Sequence, residues 1–412
     1  MNETMSQDAG GFVLRSADTW RDPFTAYRRL RDEDPVHHVE PTGDPTSDYY
    51  VLSRYDHVAQ AATDATNFVS GGGLTVTYGE LEAIGMQDNP PMVMLDPPAH
   101  TRFRTLVSRG FTPRQVREVE PEVRAFVRQR LAELEPGREI DIVGHLFKPL
   151  PSMVVAHYLG VPDSDRVQFD RWTESIVGAN PGGGMAAALP VAADAVTEMM
   201  AYFTGLIEYR KSAPGDDTVS HLVAAGVADD PAEPGGLLSI LAFAFTMVAG
   251  GNDTTTGLLG GAAELLSSHP DQRRELVERP ELLPDAIEEF LRLTSPVQGL
   301  ARTTGTDVVI DGTVVPRGRK VLLLYGSANR DERRWGPDAA ALDIHRAPQR
   351  ILTFSRGHHH CLGAAAARMQ ARVALEELLS TFPHFEVDAA GIEYAEGNYV
   401  RRPTVVPMRM NH

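Results

Sequence analysis

Apolar residues recur in a few strong patterns along the chain. Phe24, Tyr27 and Leu30 follow Pro23 at helical spacing, and the proline suits a first helical turn. Val36 to Val39 and Tyr49 to Leu52 read as short strands around a Pro/Gly turn, the start of a small sheet. An amphipathic helix is predicted from Pro113 to Leu134, and further helix from Asp141 to Leu159, stopped by Gly160-Val161-Pro162. Helical stretches at 163–178 and 190–211 flank Asn180-Pro181-Gly182-Gly183-Gly184, which reads as a mobile lid or a plain connector. Asp216 to Ala228 reads as a surface helix. The strongest apolar run, Leu237 to Ala249, is shorter than the roughly 20 residues a bilayer span needs. It fits a long helix over roughly 236–268 that is buried on all sides. Pro284 to Leu293 and the Ala-rich run from Ala364 to Leu379 are also helical. Strand patterning takes over at 295–325, where Asp311-Gly312 between two apolar triplets predicts a tight hairpin, and returns from Phe385 to Met410.

Two stretches break these patterns. Residues 70–95 have no period, yet they carry Leu74, Val76, Ile84 and Met86 between Ser70-Gly71-Gly72-Gly73 and Asn89-Pro90-Pro91. So long an irregular segment is often a binding element, and its apolar content argues against plain disorder. The second break is Gly250-Gly251-Asn252-Asp253-Thr254-Thr255-Thr256, in the middle of the long apolar helix. Each glycine costs about 1 kcal/mol there relative to alanine, and the acid adds a desolvation cost. Leu258, Leu259, Ala262, Leu265 and Leu266 continue the apolar period beyond it, so this is not simply a helix end. Local conflict of that kind is expected where function overrides folding.

Composition narrows the class. The net charge of −17 over 412 residues excludes a general nucleic-acid binder. A single cysteine excludes an intrachain disulfide and fits a reducing compartment. The N-terminus lacks a basic region followed by an apolar run, so the expectation is a protein without signal peptide or membrane anchor, cytoplasmic and bacterial. Neither a Gly-Lys-Ser/Thr phosphate loop nor a glycine-rich dinucleotide fingerprint is present, so the electrons of a redox enzyme would have to come from elsewhere.

The lone cysteine, Cys361, precedes the Ala364–Leu379 run, where a helix N-terminus favours thiolate over thiol. A thiolate there can be a nucleophile, a metal ligand or a haem ligand. Asp96-Pro97-Pro98 can cap a helix, and four residues separate His100 from Arg104, so both side chains project from one face and suit an anionic ligand group. Glu289 and Arg292, three apart on a helix, can pair.

Phe354-x-x-Gly357-x-His359-x-Cys361-x-Gly363 resembles the haem-binding loop of the cytochrome P450 family. Gly251-Asn252-Asp253-Thr254-Thr255 resembles its oxygen-activating helix, and Glu289-x-x-Arg292 its Glu-x-x-Arg. Asp96-Pro97-Pro98-x-His100-x-x-x-Arg104 resembles the haem-propionate helix of soluble bacterial members. The resemblance, closest to actinobacterial, ferredoxin-dependent members, covers nearly the whole chain. It implies one P450 domain over 1–412, mainly α with a smaller β-rich lobe (approximately 30–55, 295–325 and 385–410) and haem b between the central helix and the Cys-loop helix.

What the resemblance implies for the site is specific. Cys361 is the axial iron ligand, with Phe354 and Gly363 beside it in the loop; His100, Arg104, Arg302 and His359 hold the propionates. Asp253 and Thr254, with Thr255, relay protons to bound oxygen. Glu289, Arg292 and Arg346 form a structural ion network. The implied reaction is hydroxylation or epoxidation of an apolar steroid, terpenoid, fatty-chain or polyketide substrate. It uses O2 and electrons passed from NAD(P)H through a ferredoxin reductase and a ferredoxin to a monomeric enzyme. Candidate pocket residues are Leu74, Val93, Val177, Val248, Ala249, Val297, Leu300 and Tyr399. Three consecutive histidines, His358 to His360, depart from the family pattern, and a zinc site is the competing reading. Adjacent residues do not readily converge on one ion, however, and there is no second cysteine. Arg102, Arg109, Arg114, Arg350 and Arg356 would form a basic patch around the cysteine face, suited to an acidic ferredoxin.

Overall fold

The computed structural model describes residues 12–41, 46–83, 85–178, 191–227 and 236–411. The connector around Asn180–Gly184 lies outside them. Ten principal helices are named here: α1 (Phe24–Glu33), α2 (Tyr55–Thr63), α3 (Ala99–Val107), α4 (Pro113–Ala132), α5 (Pro149–Leu159), α6 (Arg166–Gly178), α7 (Ala193–Ser212), α8 (Leu237–Ser268), α9 (Leu283–Thr294) and α10 (Ala364–Thr381). Local chemistry fixes several ends. Thr112 and Gln115 form a reciprocal capping box at the start of α4. Gly160, at φ +74°, closes α5 in the left-handed conformation.

Helix α8 runs through its polar centre without a break. There the side chains bond back along the helix: Asn252 Nδ2 donates to the Val248 carbonyl, Thr254 Oγ1 to Gly250 and Thr256 Oγ1 to Asn252. Such bonds satisfy the hydroxyls and the Asn252 amide N–H within the helix, although Asn252 Oδ1 is buried without a partner. On either side, α8 is apolar and buried. Leu258, Leu259, Ala262 and Leu266 share a core with Val119, Val123 and Val127 of α4, Ile287 and Phe290 of α9, and Ala371, Val373, Leu375 and Leu378 of α10. Length and composition alone would let α8 cross a membrane, but half of its most apolar window is buried against the rest of the protein. That is the pattern of a core helix.

The largest sheet contains β1 (Val36–Val39), β2 (Tyr49–Leu52), β8 (Lys320–Leu323), β5 (Leu300–Thr304) and β3 (Phe68–Val69), in that spatial order. Strands β2 and β8 are parallel, and the other neighbours are antiparallel. Hairpin β6–β7 (Val308–Ile310, Thr313–Val315) turns at Asp311 and Gly312, with φ of +49° and +80°. Two positive φ values are what a two-residue hairpin of right-handed twist requires. The C-terminal strands do not join the large sheet: β12 (Pro407–Asn411) pairs with β4 (Glu139–Asp141) and β9 (His384–Val387), and β10 (Glu393–Tyr394) pairs with β11 (Pro403–Val405). The chain is thus mostly helical with a smaller β region, as the pattern predicted.

Candidate active site

Buried contacts behind the Cys loop hold it in place. Asn329 Nδ2 donates to Ser295 Oγ and Thr353 Oγ1, and its carbonyl oxygen accepts from Leu352 N. The chain then turns at Ser355 (φ +54°) and Gly357 (φ +69°). A Cβ on Gly357 would lie 2.8 Å from the Ala62 carbonyl, so only glycine fits. Cys361 N donates to the Phe354 carbonyl at 2.9 Å, which closes the loop just ahead of α10. Phe354 packs beneath the Arg368 guanidinium, 4.6 Å from its ring centre.

Protein packed around Cys361 desolvates its sulfur, although the residue remains accessible at the surface. Helix α8 has an exposed stretch of its own. Ala249 and Gly250, in the middle of that apolar helix, are exposed, whereas Val248 and Asn252 are buried. A Cβ at Gly250 or at Gly363 would meet nothing within 4 Å. Burial pushes the Cys361 thiol up, although the Gly363 N–H and the charges of Arg104 and Arg368 pull it down. The expected thiolate preference of the helix start is therefore outweighed by desolvation, and a bound cation would reverse that balance.

Beside the Cys loop lies a basic cluster. His100 is 2% exposed, and neither of its ring nitrogens has a partner. Its ring stands 4.2 Å from that of His359, whose Nε2 is 3.0 Å from Ser70 Oγ. Arg104 donates to the His360 carbonyl at 2.8 Å, and buried Arg302 donates to the Ala301 carbonyl. Burial and the nearby Arg104 charge push His100 down to about 4; burial and Arg302 push His359 down to about 3. Asp96 is near, but it accepts the N–H groups of Ser70 and Gly71. A buried cluster that suppresses its own charge, with two unpartnered imidazole nitrogens, suits an anionic group such as a pair of carboxylates.

The acid–alcohol pair divides. Thr254 is half-buried on the same stripe as Gly250. Asp253 is buried, and Arg402 Nε lies 2.9 Å from its Oδ1. Burial pushes its carboxyl up to about 6, against the opposing pull of Arg402 and Lys148. Thr255 is buried and bonds to the Gly251 carbonyl, so it does not share the exposed stretch. Of the expected pocket residues, Leu74, Val93, Val297, Leu300 and Tyr399 are half-buried and Ala249 is exposed. Val248 is fully buried in the helical core, so it is not the open pocket wall that was expected. The side chain of Val177 lies outside the described residues.

Glu289 and Arg292, both 0% exposed, form a two-pronged pair with both contacts at 2.7 Å. Arg292 also donates to the Asn329 and Ala339 carbonyls, and Arg346 reaches Glu289 Oε1 at 3.1 Å. His358 and His360 are exposed, and among the described residues no three metal-ligating side chains converge. That removes the zinc reading for these residues. Arg114 is committed to Glu118 and Asp216, so it adds little to a basic patch; Arg109 and Arg350 are exposed. Sequence reasoning missed Arg402, Glu80 and Lys320. No local signal pointed to Arg402, which lies in strand-like sequence.

A family model for Cytochrome P450 matches residues 263–393, which include the Glu289 pair and the Cys loop. Cytochrome P450 130 of Mycobacterium tuberculosis is 63% identical over 410 residues, covering 100% of each chain. The Vitamin D(3) 25-hydroxylase of Pseudonocardia autotrophica is 33% identical and covers 96% of each. The crystal structure of CYP109E1 from Bacillus megaterium in complex with testosterone superposes with a TM-score of 0.81 at 31% identity, covering 95% of this chain and 100% of that one. Relatedness along the full length, joined to the same fold, makes this chain a member of the cytochrome P450 family, the monooxygenases that bind haem b.

Proposed function

We propose that this enzyme inserts one oxygen atom into a C–H or C=C bond of an apolar substrate of steroid, terpenoid, fatty-chain or polyketide type, in the cytoplasm, with electrons from a ferredoxin. The single observation that carries this reading is the basic cluster of His100, Arg104, Arg302 and His359 beside Cys361, with both ring nitrogens of the buried His100 left without a partner. Haem, when bound, supplies the iron at which O2 is split, one atom entering the substrate and the other leaving as water with two electrons and two protons.

The chain's own residues have distinct tasks. Cys361 Sγ would hold the haem iron, with the Gly363 N–H donating to the sulfur. His100, Arg104, Arg302 and His359 would hold the two propionates. Thr254 Oγ1, which donates to the Gly250 carbonyl, can turn its proton away from the helix. Asp253 titrates near pH 6, so it can hold a proton and release it close to neutrality. The half-buried Leu74, Val93, Val297, Leu300 and Tyr399 make an apolar wall with no charged anchor. That wall supports an apolar substrate, as do the names of two relatives, one a vitamin D(3) hydroxylase and the other solved with testosterone.

Incubating the haem-loaded enzyme with NADH, ferredoxin, ferredoxin reductase and a panel of steroids, terpenes and fatty acids under 18O2 tests the proposal. The expected product is one oxygen heavier than its substrate and carries the label. Consumption of NADH with unlabelled product only would refute it.

A further inference from the structure

Residues Ser70 to Glu80 link the basic cluster to the large sheet, and polar contacts hold nearly every step of that path. Asp96 accepts from Ser70 N and Gly71 N at 2.8 and 2.9 Å. The Gly72 carbonyl accepts from Lys320 Nζ. The Leu74 carbonyl accepts from Ala301 N at 2.7 Å. Leu74 N, Thr75 N and Thr75 Oγ1 all donate to one oxygen of Glu80, at 2.8, 3.0 and 3.0 Å. Val76 N donates to Tyr399 Oη at 3.1 Å. Tyr78 Oη donates to the Asp48 carbonyl and accepts from Lys320 N.

Two of these partners are charged and buried, Glu80 at 5% and Lys320 at 1% exposed. A buried charge is retained at a cost unless it is paired or fully hydrogen-bonded. Here each charge is spent on the backbone of a glycine-rich segment. Gly71, Gly72 and Gly73 have no side chains to pack, so packing cannot fix their course. Gly73 stands at φ +100°, and a Cβ there would lie 2.3 Å from Glu80 Oε2. The chain therefore wraps the carboxylate directly. The residue that emerges from this wrap is Leu74, beside Leu300 and Ala301 of β5.

We infer that Glu80 and Lys320 are positioning residues that set the shape, and so the selectivity, of the substrate wall by fixing Gly72 to Val76. Neither touches the reacting atoms. The inference rests on the proposal that Leu74 lines the substrate space. It goes beyond that proposal by assigning the wall's geometry to two charges outside it.

The test uses the haem-loaded enzyme and two iron-binding probes that differ in bulk, imidazole and 4-phenylimidazole, read by their Soret shifts. Glu80→Ala leaves the Leu74 and Thr75 N–H groups and the Thr75 hydroxyl without their acceptor; it is expected to weaken the bulky probe about tenfold or more, while imidazole changes less than about threefold. Glu80→Gln, whose carbonyl oxygen can still accept, should recover most of the loss. Lys320→Met should act in the same direction as Glu80→Ala, and Thr75→Val more weakly; these two decide the matter if Glu80→Ala does not retain haem. Leu74→Trp should also raise the ratio of the two dissociation constants. If Leu74→Trp changes that ratio while the Glu80, Lys320 and Thr75 variants leave it at the wild-type value, or weaken both probes equally, the inference is overturned and the wall reading survives. An unchanged ratio in Leu74→Trp overturns both.

Discussion

Asp253 lies in an apolar helix with Arg402 as its one close cation, and the two influences on its carboxyl are opposed. Burial favours the acid form, whereas Arg402 and, more weakly, Lys148 favour the carboxylate. A carboxyl at about 6 is mostly ionised at pH 7 and mostly protonated at pH 5. If Asp253 supplies protons as its acid, turnover declines as pH rises through that value. Arg402→Ala removes the cation that holds the carboxyl down, so the declining limb of kcat against pH should move upward by about one unit or more. A limb that stays in place would mean that another group supplies the proton. Arg402 also shows what local pattern cannot reveal. The motif identified Asp253, but its partner lies just ahead of β11, and an ion pair between distant segments leaves no periodic trace. The same holds for Lys320, which reads only as the first residue of a strand.

Within α8, two neighbouring glycines have different reasons to be there. A Cβ at Gly251 would lie 2.7 Å from Val155 Cγ2, a packing clash, whereas one at Gly250 would meet open space. Gly250→Ala should therefore stabilise the folded enzyme by up to about 1 kcal/mol in chemical denaturation, while its methyl group intrudes on the reaction space and lowers product formed per NADH consumed. Lower stability together with unchanged coupling would contradict this reading. Helix α9 makes the opposite case, of structure without chemistry. Glu289→Gln leaves Arg292 buried with half its pairing gone. A cost of about 3–5 kcal/mol is expected, read as a large fall in the urea midpoint with haem lost at lower denaturant. Most helices and the Asp311-Gly312 hairpin were legible in the sequence because period and turn chemistry are local, but α2 was not anticipated, and Asp141 to Phe147, expected as helix, opens on the end of β4 and a π-helical turn before α5. The course of Ser70 to Glu80 was not, because it depends on tertiary partners and not on any period.

Across the whole molecule, a net charge of −17 coexists with exposed Arg109 and Arg350 and with the half-buried Arg356 of the Cys loop. A basic patch of these residues, as proposed for the cysteine face, would steer an acidic electron donor. Arg356→Glu should slow ferredoxin-supported reduction several-fold at low ionic strength, with the difference shrinking as salt is raised. Equal rates at every salt concentration would remove the proposed docking face. The architecture also gathers its parts from distant places: Cys361 from the loop before α10, Gly250 and Thr254 from α8, His100 and Arg104 from α3, and Arg302 from β5. The fold brings Arg104, which donates to the His360 carbonyl, beside Cys361, with His100, His359 and Arg302 around it. The most direct test of that arrangement is the absorption spectrum of the reduced, carbon monoxide-treated enzyme, wild type beside Cys361→Ala. The wild type should show the red-shifted Soret band of thiolate-ligated haem, and the variant should lose it; a wild-type protein that binds no haem, or a variant that keeps the band, would contradict the assignment of Cys361.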